Sequence, residues 1–273
     1  MVMITSDMEW ELHLPWDGFY QGTRFDRSGI FRSLLYKGRE LCGPWFSRYD
    51  PFMHDAVQGP AEEFSPLEMD GLWLKPGVGL LRQDGEPYDR FKLYKLADPG
   101  RWEVDGLRFN HFLDGCYDYV KEIAVTDENR FEIRHTLHTF VSMKGDVYNH
   151  NFFTMGKMAV TPSRLIDFPF SPEGDWRARY DSVGFTPGGI RFSRALKEGE
   201  SVYTGNIHQA GKEGMPYEMC LSEGPLRVQI KGDMPVFKTA LWANHRIACL
   251  EPYNRLDLAP RETFRWKIEY TLI

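Results

Sequence analysis

Three things are scarce in this sequence: clustered positive charge, long apolar runs and paired cysteines. The 33 Lys and Arg are scattered among 39 Asp and Glu, and the net charge is −6. A nucleic-acid surface calls for a run of about five or more bases, so no such partner is expected. No window holds the ~18 consecutive apolar residues of a membrane-crossing helix. The opening Met1-Val2-Met3-Ile4-Thr5-Ser6-Asp7 has neither the basic start nor the apolar stretch of a secretory signal, and a cytoplasmic location is expected. Cys42, Cys116, Cys220 and Cys249 lie far apart with no C-x-x-C pair. They read as buried thiols rather than bridges or metal ligands.

Several catalytic signatures are also missing. There is no G-x-S-x-G elbow, and no cysteine sits in a recognisable nucleophile setting. Gly77-Val78-Gly79 lacks a third glycine and a following helix, and Gly188-Gly189 reads as a hairpin turn, so no nucleotide cofactor is expected. His135 and His138 are three apart. On a strand they point to opposite faces and cannot share an ion, so His135 reads as structural and no metal is expected. His138 is left as a candidate cleft residue.

What the chain does have is aromatic side chains, 15% of its residues, in short runs separated by turn residues. Such runs span residues 20–26, 30–36, 91–96, 102–109, 116–125, 131–140, 190–196, 201–207, 217–221, 226–230, 236–242 and 264–272. Thr126-Asp127-Glu128-Asn129 is expected to close a hairpin. The spacing predicts an all-β sandwich or barrel, and 273 residues fit one such domain spanning 1–273. Residues 43–90, rich in Pro, Gly and acids, are expected to lie irregularly over a sheet and to carry part of a site.

Two places suggest chemistry. Tyr148-Asn149-His150-Asn151-Phe152-Phe153 sets three hydrogen-bonding side chains among aromatics. On a strand, His150 shares a face with Tyr148 and Phe152, and the two asparagines share the other. Such a histidine is either an acid–base group or a buried structural one. Glu251 follows Ile247-Ala248-Cys249-Leu250. It reads either as a carboxylate ending a buried strand at a cleft or as a surface glutamate.

The order of these features resembles the aldose 1-epimerase (galactose mutarotase-like) superfamily. The resemblance rests on His150 in its aromatic run, Leu250-Glu251-Pro252 further on, and the closing residues 256–264. Arg261 stands where that family usually has glycine. Residues 22–29, 58–64 and 74–79 resemble a bacterial branch of it. The resemblance implies a large antiparallel β-supersandwich with few short helices, acting on a small sugar without metal or nucleotide. It implies His150 as the acid on the ring oxygen and Glu251 as the base on the anomeric hydroxyl. Arg24, Lys75, Lys121, Trp242, Asn149, Asn151 and Glu62 form the expected substrate-binding set. Arg24 and Lys75 either meet sugar hydroxyls or an anionic substituent, or pair with Asp26, Glu62 or Glu63. Trp242 is either a stacking platform or core. A further histidine of the family has no counterpart in residues 58–63, although His54 lies just upstream. Non-catalytic sugar binding, or lyase or hydrolase chemistry on the same fold, remains an alternative.

Overall fold

The computed structural model describes residues 1–156 and 159–273, with the backbone alone at Asp55. Its regular structure is almost entirely strand. Among the described residues the single helical element is the 3-10 turn His54–Ala56, and no helix is long and apolar enough to cross a membrane.

Two antiparallel sheets face each other. In order, the larger joins Arg101–Asp105, Arg108–Leu113, Tyr117–Asp127, Arg130–Thr139, Thr263–Leu272, Leu226–Gly232, Glu218–Glu223, Arg164–Asp167, Gly189–Phe192 and Val183–Thr186. The smaller joins Pro172–Glu173, Ser201–Gln209, Lys238–Asn244, Ala248–Leu258, Met143–Phe152 and Gly59–Phe64. Two four-stranded sheets, one from the N-terminal residues and one spanning Leu67–Met69 to Leu96–Asp98, complete the architecture.

The strands follow the two-residue period of their side chains. In Tyr117–Asp127, positions 117, 119, 121 and 123 are buried and those between are partly exposed. The hairpin to Arg130–Thr139 closes at Asp127, where the register slips by one residue. Aromatic rings dominate the core between the sheets: Phe131 stacks on Tyr270 at 4.8 Å and meets the edge of Trp10 at 5.0 Å. Burying one such side chain stabilises the fold by about 1.5–3 kcal/mol. All four cysteines are unpaired, and Cys42, Cys116 and Cys249 are buried.

Two sequence expectations are corrected. Residues 43–90 are not uniformly irregular: Gly59–Phe64 is a fully buried strand at the edge of the smaller sheet, and Leu72–Lys75 and Gly79–Arg82 form a hairpin. The strand opens at Gly59 with φ +65°, and a Cβ there would lie 2.8 Å from Phe31 Cβ. Only glycine meets both demands. Residues 20–26 are a compact loop instead of a strand. The Tyr20 hydroxyl accepts the backbone N–H groups of Arg24 and Phe25, and a Cβ at Gly22 would sit 2.4 Å from that oxygen.

Candidate active site

One face of the smaller sheet is the floor of a cleft of about 490 Å³, within the roughly 300–1,000 Å³ usual for small-molecule sites. The strand Met143–Phe152 runs through its middle, pairing with Ala248–Leu258 on one side and Gly59–Phe64 on the other. Alternation sends Tyr148, His150 and Phe152 to the cleft. Register brings Tyr253 and Glu63 beside Tyr148 on the same face. Glu251 lies in the interior of its strand, not at the end as expected, with Ala240 as its cross-strand neighbour.

His150 is held between two carboxylates. Its Nε2 is 3.1 Å from Glu63 Oε2. Its Nδ1 is 3.2 Å from Glu251 Oε1 but is not aligned for a hydrogen bond. Glu63 also accepts from Arg24 Nε at 2.6 Å, so Arg24, Glu63, His150 and Glu251 form one buried row. Burial disfavours charge on the imidazole, yet the charge of Glu251 and the contacts with Glu251 and Glu63 outweigh it and raise its pKa. Burial likewise opposes ionisation of Glu63, but the Arg24 charge, the bond to His150 and the Lys75 charge hold it well below the ordinary range. The result is a buried imidazole whose protonated form is favoured by its neighbours, with one nitrogen anchored and the other on the Glu251 side.

The walls are aromatic and cationic. Trp45 stacks on Phe152 at 5.3 Å and meets the edge of Trp242 at 5.6 Å, so Trp242 belongs to the cleft. Tyr148 and Tyr253 stack at 4.1 Å. Arg90 and Lys238 approach those two rings, and Arg177 covers Tyr203. His54 also lines the cleft, its ring 5.1 Å from that of Phe91.

Of the expected set, the structure brings Arg24, His150, Trp242 and Glu251 to the cleft and leaves five residues away from it. Asn149, Asn151, Glu62 and Lys121 point between the sheets. Asn149 Nδ2 donates to Glu62 Oε1 at 3.0 Å, and Tyr270 donates to Oδ1 of Asn149 and of Asn151 at 2.9 and 3.1 Å. Asn151 donates to the Leu250 carbonyl. Lys121 donates to the Ser28 carbonyl at 2.8 Å and lies 3.5 Å from Asp26. Burial opposes ionisation of Glu62, but His135, Lys121 and Asn149 hold its carboxyl below the ordinary range. Lys75 is fully buried behind the Arg24 loop, donating to the Arg24 carbonyl at 2.7 Å and Tyr88 at 2.8 Å. These five are corrected from sugar contacts to supports, because buried polar groups must find partners and these find them within the protein. His135, stacked on Trp266 at 4.5 Å, is part of the same interior network, and His138 bonds Thr263 away from the cleft.

Sequence reasoning passed over Glu63 as a site residue. The signal was available: two consecutive glutamates on a strand must face opposite sides. A three-donor set also exists, with ligand atoms of His150, Cys249 and Glu251 within 4.8 Å of one another. Burial and the Glu251 charge push the Cys249 thiol up, and the same His150 and Glu251 atoms are placed for proton transfer.

No family model and no curated protein matches this sequence. Solved structures do. The Slr1438 protein of Synechocystis sp. PCC 6803 is 12% identical with a TM-score of 0.58, over 99% of this chain and 94% of its own. A galactose mutarotase related enzyme from Lactobacillus acidophilus is 9% identical, TM-score 0.57, over 100% and 97%. The GalM/aldose epimerase homologue from C. elegans is 13% identical, TM-score 0.56, over 98% and 96%. Likeness at such identity speaks for architecture and not for activity. The chain has the fold of the galactose mutarotase-like proteins, an antiparallel β-supersandwich.

Proposed function

We propose that the protein interconverts the anomers of an aldose by acid–base catalysis, as an aldose 1-epimerase-like isomerase. The observation that carries this reading is the inequality of the two His150 nitrogens. Glu63 occupies Nε2, while Nδ1 faces Glu251 at 3.2 Å without an aligned hydrogen bond, at the floor of a cleft of monosaccharide scale.

A sugar seated with its anomeric carbon over this pair meets both groups at once. The Nδ1 proton passes to the ring oxygen as Glu251 takes the proton of the anomeric hydroxyl. The bond from the anomeric carbon to the ring oxygen breaks, and a carbonyl forms. Rotation about the adjacent carbon–carbon bond presents the other face, and the two protons return on closure. The carboxylates around His150 raise its pKa, which favours the acid form this step needs. The rings of Trp45 and Trp242 offer platforms for the C–H face of a pyranose.

The test is anomer exchange followed by NMR on a panel of hexoses and hexuronates. His150→Ala and Glu251→Gln are each expected to lower the rate by roughly 10²–10⁴, the usual worth of a positioned acid or base. Exchange in the wild type with neither variant slower would remove both residues from the reaction. Tight binding with no exchange would leave a sugar-binding sandwich.

A further inference from the structure

The charges around the cleft do not cancel. Arg24 is taken by Glu63, and His150 by Glu63 and Glu251. Among the described residues what remains is Arg90, Arg177 and Lys238, with Asp146 the one other carboxylate that lines the cleft. Arg90 lies 3.9 Å from Glu63, and Glu63 is already held by Arg24 at 2.6 Å and His150 at 3.1 Å. Among the described residues neither Arg177 nor Lys238 has a carboxylate at ion-pair distance.

All three cations lie on tyrosine rings of the cleft. Arg90 Cζ is 5.6 Å from the centre of Tyr148, Lys238 Nζ is 4.5 Å from that of Tyr253, and Arg177 Cζ is 4.2 Å from that of Tyr203. Tyr148 and Tyr253 are the next residues on the same face beyond His150 and Glu251. Two residues of strand span roughly 6–7 Å, about the reach of one pyranose from its anomeric carbon to a substituent on the far side. Cations gathered over aromatic walls in a concave site repel one another and concentrate anions there. A neutral sugar would not relieve that repulsion, whereas an oxyanion would, and an arginine fork matches its geometry.

We propose that the substrate is an aldose carrying an anionic group, a carboxylate or a phosphate ester, and that Arg90, Lys238 and Arg177 receive it. This rests on the sugar reading above and deepens it by assigning a substrate class. Asp146 stands further along the His150 strand with Arg255 as its cross-strand neighbour, past the Tyr148–Tyr253 row.

Calorimetry with glucose, glucuronate and glucose 6-phosphate tests this, using both the wild-type protein and Glu251→Gln. At least one anionic sugar is expected to bind roughly tenfold or more tighter than glucose, as charge-assisted bonds replace neutral ones. The preference should shrink with added salt and in Lys238→Met and Arg90→Gln, whose folding is checked by thermal melting. The salt titration needs no variant. The tighter of the two anionic sugars tells carboxylate from phosphate. Equal affinity for glucose and both anionic sugars overturns the proposal, as does a preference that ignores salt and survives in both variants. Glucose exchanged and bound as well as its anionic relatives removes the charge assignment and leaves the isomerase. An anionic preference without anomer exchange does the reverse, and no binding of any sugar removes both.

Discussion

Glu62 and Glu63 are consecutive in the chain and serve opposite sides of one strand. Glu63 faces the cleft and joins Arg24 to His150, while Glu62 faces the interior and joins Asn149 to His135. The edge strand Gly59–Phe64 therefore braces the His150 strand from both faces. His150, the proposed acid, is thus held in place by carboxylates that need not touch a substrate.

Glu63→Gln tests that bracing. The variant leaves the Arg24 charge without its carboxylate in a buried setting, a loss worth about 3–5 kcal/mol in denaturant unfolding. It also removes one influence that raises the His150 pKa and frees the opposing field of Arg24. Both changes lower that pKa. If protonated His150 is the acid, the alkaline limb of the rate profile must move to lower pH. A variant that is merely less stable, with an unmoved profile, would make Glu63 structural only.

Tyr270→Phe tests the inner network. The Tyr270 hydroxyl is fully buried and donates to the side-chain oxygens of Asn149 and Asn151. Removing it leaves Asn151 Oδ1 unsatisfied between the sheets and Asn149 Oδ1 with only the Tyr217 hydroxyl at 3.4 Å, and the expected loss is about 1–3 kcal/mol by urea unfolding. Because this side of the strand is turned away from the cleft, the pH dependence of any sugar reaction should keep its midpoint.

Much of this was legible in the sequence wherever the argument was local. The two-residue period placed His150 with Tyr148 and Phe152 and turned Asn149 and Asn151 the other way, and it separated His135 from His138. What escaped was the strand Gly59–Phe64. Gly-Pro-Ala-Glu-Glu carries no β-branched residue, and adjacent buried glutamates look like surface. Their burial is licensed by Arg24, His135, Asn149 and His150, which tertiary packing brings from distant parts of the chain. Assigning Asn149 and Asn151 to the sugar instead sets aside the alternation itself, while the partners of Glu62 and Lys121 come from distant parts of the chain. A polar residue beside a catalytic one points to the site only if the alternation allows it, and for the asparagines it pointed away.

Trp242→Ala separates platform from core. Trp242 is partly exposed at the cleft, with the edge of Trp45 against it. If a pyranose packs on the indole, its loss should weaken sugar affinity by about 1 kcal/mol, roughly fivefold. The effect should appear mainly as a higher KM, since the indole carries no proton to transfer. A fall in kcat with KM unchanged would place Trp242 in supporting His150 and Glu251 instead.

Lys75 gives the clearest dependence of stability on pH. Burial drives its pKa down to about 7 from an ordinary 10.5, against the pull of Glu63 and with the repulsion of Arg24 and Arg90. Between these values the unfolded chain holds the proton more tightly than the folded protein does. Stability contributed by this group must therefore rise with pH across that interval, and it is least below pH 7. His150 acts in the opposite sense: its raised pKa gives stability that is present below its ordinary 6.5 and is lost as pH climbs through the folded value. Lys75→Met keeps most of the buried stem, removes the charge, and gives up the bonds to the Arg24 carbonyl and Tyr88. Melting curves from pH 6 to 10 should show the variant losing the alkaline gain while keeping the His150 decline, so its stability falls with pH more steeply than that of the wild type. Parallel curves would mean that Lys75 keeps an ordinary affinity for its proton, and that its bonds to the Arg24 loop offset the full cost of burying it charged.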